Sequence, residues 1–286
     1  MYLKIFLLSF FLFAPQAFAN EITDDSGEKI ILSSPSVRVI SLLPSITESV
    51  CSIGQCTSLV GVDDYSNSPP PVKALPHLGG GLTPNIELLV SLKPDLVLLS
   101  NNQRVIHKLQ QLGIKVFVIE TQTHEDVRRS LNKLDLIFNT HKSQSVWQSM
   151  QTEITKVAKS LPSSVKNLRV YFEVSTGPYA AGQSSFIGET LSRLGVQNIV
   201  PKSLGEFPKL NPEFIVKADP ELIIVGDNNL LDLTQRPGWK QLSAIKANRV
   251  CALSKDQSDV VLRPGPRMGE GAQIIANCIT TKGLIP

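Results

Sequence analysis

Asp259 and Arg263, four residues apart and leading into Arg263-Pro-Gly-Pro-Arg267, are the polar residues whose spacing most invites chemistry. An arginine at the mouth of a helix is a natural anion-binding arrangement, and the same spacing also makes a structural ion pair. Asp63-Asp64-Tyr65-Ser66 follows the strand-like run Leu59–Val62. It therefore falls at the C-terminal sheet edge, where open parallel sheets bind ligands. Together with Arg263, these two carboxylates would suit an exported α/β enzyme acting on an anionic substrate. Against catalysis, the chain has no P-loop, no GxGxxG after a strand, no GxSxG and no HExxH. Gly79-Gly80-Gly81 resembles a phosphate cradle, but Thr83-Pro84 stands where Lys-Ser/Thr would be needed, so close backbone approach is the better reading. His77, His107, His124 and His141 lie in separate segments and read as solvated surface positions rather than metal ligands. No catalytic residue, metal ligand or resident cofactor is assigned.

The 286 residues carry a net charge of +3 with 42% hydrophobic and 19% charged residues, a globular balance. So small a basic surplus, without a basic run interleaved with aromatics, argues against nucleic acid as a partner. Met1 to Ala19 has a lysine near its start, the apolar stretch Ile5–Phe13 and small residues in Ala17-Phe18-Ala19. These are the parts of an export signal cleaved after Ala19, and the stretch is shorter than the roughly 20 residues that span a bilayer. Four cysteines in an oxidising compartment invite pairing, with three connectivities open. Cys51–Cys56 closes a short loop at a helix end, and Cys251–Cys278 would tie a strand to a terminal helix; this pairing is favoured.

An internal repeat organises the chain. Asn85-Ile-Glu-Leu-Leu-Val-Ser-Leu-Lys-Pro-Asp-Leu-Val-Leu-Leu is matched by Asn211-Pro-Glu-Phe-Ile-Val-Lys-Ala-Asp-Pro-Glu-Leu-Ile-Ile-Val, with Glu87 on Glu213 and Pro94 on Pro220 without a gap. Each copy reads as a short capped helix, a turn and a buried parallel strand. Arg38-Val-Ile-Ser and Arg169-Val-Tyr-Phe read as entry strands, and the helix Glu48–Gly54 has a partner in Glu189–Gly195. Trp147, Met150, Ile154, Val157 and Leu161 step by three and four along one helical stripe. The expected fold is α/β: two lobes, each a mostly parallel sheet covered by helices, joined by one long helix. The boundaries read as a signal over 1–19, an N-terminal segment over 20–36, a lobe over 37–140, the linking helix over 141–165 and a second lobe over 166–286. One connecting helix implies a small hinge motion rather than a wide clamshell.

In order along the chain, Arg38-Val-Ile-Ser-Leu-Leu-Pro-Ser-Ile-Thr-Glu48, Val60-Gly-Val-Asp-Asp-Tyr-Ser66, Leu92-Lys-Pro-Asp-Leu96 and Arg263-Pro-Gly-Pro-Arg267 resemble the periplasmic cobalamin and iron-chelate binding proteins of ABC importers. The resemblance runs from about Val37 to the end. It implies a monomeric periplasmic receptor that delivers a metal chelate, cobalamin or a related corrinoid first, to an inner-membrane permease; haem or a ferric siderophore is the alternative ligand. It further implies that Glu87 and Glu213 dock the permease. Tyr65 would line the pocket, with Tyr179 and Phe207 contributing and Asp259 and Arg263 making polar contacts. Gly81 stands where the family has a pocket tryptophan, and Asn101-Asn102 replaces a further aromatic region, which removes apolar wall area.

Overall fold

The computed structural model describes residues 20–175, 177–226 and 230–283; the expected export signal lies outside them. An antiparallel hairpin, β1 (Asn20–Thr23) and β2 (Lys29–Leu32), precedes the first lobe. That lobe runs β3 (Val39–Ser41), α1 (Pro44–Ser52), β4 (Leu59–Val62), α2 (Ile86–Ser91), β5 (Leu96–Leu99), α3 (Gln103–Gln111), β6 (Val116–Val118) and α4 (His124–Phe138). Its four strands form a parallel sheet in the order β4-β3-β5-β6. The linking helix α5 (Ser143–Ser160) leads to β7 (Arg169–Ser175), β8 (Tyr179–Ala180), α6 (Phe186–Arg193), β9 (Gln197–Asn198), α7 (Pro212–Ala218) and β10 (Leu222–Val225). The chain ends with α8 (Ser243–Lys246), β11 (Val250–Ala252), α9 (Lys255–Val261) and α10 (Met268–Cys278). In this second sheet β11, β10, β7 and β9 pair in parallel, and β8 adds an antiparallel edge to β7.

The two repeat copies are built by the same contacts. Asn85 accepts from the Leu88 amide at the start of α2, and Asn211 accepts from the Glu213 amide at the start of α7, the side-chain caps that asparagine supplies best. The acid after each proline clamps the central strand to its entry strand. Asp95 donates its amide to Arg38 O and accepts from the Arg38 amide; Glu221 does the same with Arg169. Each lobe also has a glycine at the same register with positive φ, Gly79 at 86° and Gly205 at 91°, in the loop ahead of the capped helix.

Strand side chains alternate between two layers. Val39, Leu96, Leu98, Leu222 and Ile224 point into one apolar core that also contains Ile46 of α1, Val127 of α4, Met150, Ile154 and Val157 of α5, Leu191 of α6 and Ala272 of α10. This core runs unbroken through both lobes. Ile40, Val97 and Leu99 point the other way beneath α2 and α3, and Ile223 and Val225 pack with Tyr171 and Trp239 in the outer layer of the second lobe. The lobes are therefore fused along a shared interior, and α5 is a wall of it rather than a free tether.

The helix expected from Glu48 begins a turn earlier, at Pro44, because proline suits the first helical position, where its missing N–H costs nothing. Both cysteine pairs form as favoured above: Cys51–Cys56 fastens the end of α1 to the turn after it, and Cys251–Cys278 fastens β11 to α10.

Candidate functional site

The polar contacts between lobes come from the C-terminal edges of both sheets, the edge at which parallel sheets gather ligands. After β4 the chain turns through Asp63–Ser66. The buried Asp63 carboxylate accepts from the Tyr65 amide at 3.0 Å and from Ser66 Oγ at 2.5 Å. Burial pushes the Asp63 carboxyl up, opposed by those hydrogen bonds and by the Arg263 charge. Below, Ser66 Oγ meets Thr47 Oγ1, which donates to Ser41 Oγ. Asp64 in turn holds the glycine loop, accepting from the Gly79 amide at 2.9 Å while its own amide donates to Gly79 O. Both carboxylates thus serve to shape the turn. The result is a Tyr65 ring pushed outward, 67% exposed, beside Gly80.

Gly81 accounts for the missing aromatic: a Cβ there would lie 2.5 Å from Leu42 O, so the backbone fills the place of a side chain. Next to it Leu82 is 74% exposed, its carbonyl held by Asn102 Nδ2 at 3.1 Å. On the second lobe, Tyr179 is 41% exposed with the Lys209 ammonium 6.0 Å from its ring centre, and Leu204 is exposed nearby in sequence to Gly205. Phe207 is half-buried, its ring 5.9 Å from that of Phe186 at the start of α6.

Arg263 lies at the seam. Its Nη1 donates to Glu48 Oε1 at 2.9 Å and to Asn67 Oδ1 at 2.8 Å. Nη2 donates to Tyr65 O at 2.9 Å and pairs with Asp259 Oδ1 at 3.1 Å. Four of the five guanidinium N–H groups are thereby committed to protein oxygens, leaving Nε–H. Asn67 Nδ2 closes the ring on Asp259 Oδ2, and Arg267 grips Glu48 with Nε and Nη2 at 2.9 and 2.7 Å. Glu48, Tyr65 and Asn67 belong to the first lobe; Asp259, Arg263 and Arg267 to the second. Gly265, between the arginines, lets that turn lie against the start of α1, where an added Cβ would be 3.2 Å from Ser45 O. The Asp259–Arg263 pair was legible in the sequence; Glu48, Asn67 and Arg267 were not assigned a role. The available signal was a single acid inside Pro44–Val50, a run otherwise of small and apolar residues.

A second seam mirrors the first. Glu189, on the helix that matches α1, accepts from the backbone N–H of His124, the first residue of α4 in the other lobe, at 2.7 Å. The Phe186 amide donates to Gln122 O, and His124 Nε2 meets Phe186 O at 3.0 Å and Thr190 Oγ1 at 2.9 Å. The expectation of four solvated histidines is corrected here: His77, His107 and His141 are exposed, but His124 is buried because its ring fills the joint between α4 and α6. Glu87 and Glu213 are exposed in the first turns of α2 and α7. Because each helix runs back into a parallel strand, both acids sit at the C-terminal edge of their sheet. Among the described residues no group of three or more His, Cys, Asp or Glu side chains could hold a metal ion, and no helix is long and apolar enough to cross a membrane.

Two α/β lobes on one linking helix, with a polar seam and outward aromatics at the shared sheet edges, define a solute-binding protein. A profile of the periplasmic binding protein family matches residues 39–257, and the chain belongs to that family, which serves ABC transporters. It is 28% identical over 276 residues to YvrC of Bacillus subtilis, an uncharacterized ABC transporter substrate-binding lipoprotein, covering 92% of this chain and 86% of that one. It is 27% identical over 250 residues to the vitamin B12-binding protein of Pectobacterium carotovorum, covering 85% and 88%. A possible iron-binding periplasmic solute-binding protein from Staphylococcus epidermidis superposes with a TM-score of 0.74 at 25% identity, covering 86% of this chain and 99% of that one.

Burial lowers the His124 imidazole to about 4, with Arg193 adding repulsion and the Phe186 carbonyl opposing. A histidine held below its ordinary value of 6.5 is protonated first in the unfolded chain. Its contribution is therefore complete above about pH 6.5 and is lost as the pH falls from there through about 4, on the order of 3 kcal/mol in all. Urea unfolding at pH 7 and pH 4.5 should show a smaller acid loss for His124→Gln, which keeps a donor for Phe186 O. An equal loss in both proteins would contradict the assignment. Asp63, pushed in the opposite direction, is unchanged in this comparison and cancels.

Proposed function

We propose that this protein is a periplasmic receptor that binds a metal chelate between its lobes, with cobalamin or a related corrinoid as the first candidate, and delivers it to an inner-membrane ABC permease. In this reading it is exported by a signal cleaved after Ala19, acts as a monomer, catalyses nothing and has no nucleic-acid partner. The observation that carries the proposal is the outward pair Tyr65 and Tyr179, one from each lobe, at sheet edges where most large apolar side chains are buried. With Leu82 and Leu204 they offer apolar contact to both faces of a flat macrocycle. Phe207 extends the second wall, the Gly81 backbone lines the first, and Asp259 together with the Arg263 Nε–H orients polar groups of the ligand. The metal is cargo, carried already saturated by its chelate. The backbone contact at Gly81 leaves the first wall low, so a haem or ferric siderophore is the second reading.

A titration panel of cobalamin, cobinamide, haem and ferric siderophores tests this. A corrinoid should bind most tightly, and Tyr65→Ala should weaken it at least tenfold. Arg263→Ala should weaken it by roughly ten- to a hundredfold while also lowering Tm, with Arg263→Lys recovering only part. No binding to any member of the panel would overturn the proposal; unchanged affinity with lowered Tm would reduce Arg263 to scaffold.

We further assign Glu87 and Glu213 to permease docking. A helix-dipole role explains each acid singly but does not require both at one register. Replacing both by Ala should lower transport while affinity stays within about twofold, since neither belongs to the pocket. Undiminished transport would contradict the assignment.

A further inference from the structure

A polar cavity of about 650 Å³ involves none of the residues assigned to the cleft. It opens where α5, α6 and β9 meet the start of α4, so its wall includes His124 of the first lobe, Gln151 of the linking helix, and Gln183, Glu189, Arg193 and Lys202 of the second. Arg193 is the unusual member. Its Nη1 donates to Gln151 Oε1 at 2.5 Å, and Nη2 donates to Gln151 O and Thr155 Oγ1, all neutral oxygens. Among the described residues neither Arg193 nor Lys202 has a carboxylate partner. The one acid in the wall, Glu189, is occupied by the His124 amide.

The surroundings also favour an acceptor-rich occupant. Beyond Gln151 a second depression of about 540 Å³ carries Lys156 and Lys159 on the same helix, so both openings carry cationic side chains. Burial depresses the Arg193 guanidinium, as expected for a cation partly removed from water without an anion beside it. His124, neutral near pH 7, adds no charge of its own.

We infer that this cavity is a second binding site, for a small soluble oxyanion bearing phosphate or carboxylate groups, held by Arg193 and Lys202. An occupant there touches both lobes and the helix between them, and so couples to their relative position without entering the cleft. The inference stands independently of which chelate the cleft takes.

Inorganic pyrophosphate and citrate are the probes, titrated by calorimetry and by thermal melting at low ionic strength. Saturable binding by at least one, with a rise in Tm, is the expected result. Arg193→Gln and, separately, Lys202→Gln should weaken it at least fivefold, while Lys240→Gln, in the wall of a separate depression, should match the unaltered protein. The lysine variant sits on an exposed position and keeps the test valid should the arginine variant fold poorly. No saturable binding of either probe would overturn the inference. So would an equal response from all four proteins, which is a general salt effect. Capture on vesicles of anionic lipid without binding of the soluble probes would also overturn it, because the surface would then be a membrane contact.

Discussion

A buried carboxylate, Glu48, held by two guanidiniums from the opposite lobe fixes the relation between the halves of this molecule. Glu48 is 4% exposed and Arg263 8%. Taking these charges out of water is expensive, and their mutual attraction offsets that only when geometry is good and the remaining donors find acceptors. Here Asn67, Tyr65 O and Asp259 supply the acceptors. Such a cluster need not add net stability over an apolar seam of equal volume, yet losing one partner typically costs about 3–5 kcal/mol because a buried charge is stranded. The cluster therefore acts as a geometric lock: it tolerates one relative placement of the lobes and penalises others.

The rest of the architecture follows from that placement. Arg263 spends a donor on the carbonyl of Tyr65, so the lock also fixes the backbone that presents the exposed ring. The seam at Glu189 and His124 braces the opposite side, and the apolar core running through α1, α4, α5, α6 and α10 prevents the lobes from sliding. On the proposed function, a cleft held this way would present its walls already in position, and a rigid, flat solute would lose less affinity to ordering than a flexible one.

Much of this was legible in the sequence because it rests on local pattern. The capped helices at Asn85 and Asn211, the four-residue buried strands after them, the stripe along α5 and the Cys51–Cys56 pair are written in short-range spacing. The pairing of Asp259 with Arg263 was visible for the same reason. What stayed hidden depends on residues far apart in sequence. Glu48 and Arg263 meet only after two sheets have formed and docked, and nothing near Glu48 names its partner. His124 read as a surface residue because its burial comes from α6, in the other lobe. The clamps by Asp95 and Glu221 were half visible: the Pro-Asp and Pro-Glu turns were evident, the strands they tie were not.

The most direct test of the lock is a double-mutant cycle on Glu48 and Arg263. Urea unfolding would be measured for the unaltered protein, Glu48→Gln, Arg263→Met and the pair together. If the buried contact fixes the lobes, the two substitutions should be strongly non-additive, with a coupling of about 2 kcal/mol or more and the double variant little worse than either single one. Additive losses, with coupling below about 0.5 kcal/mol, would show that the carboxylate and guanidinium act separately and would contradict the account.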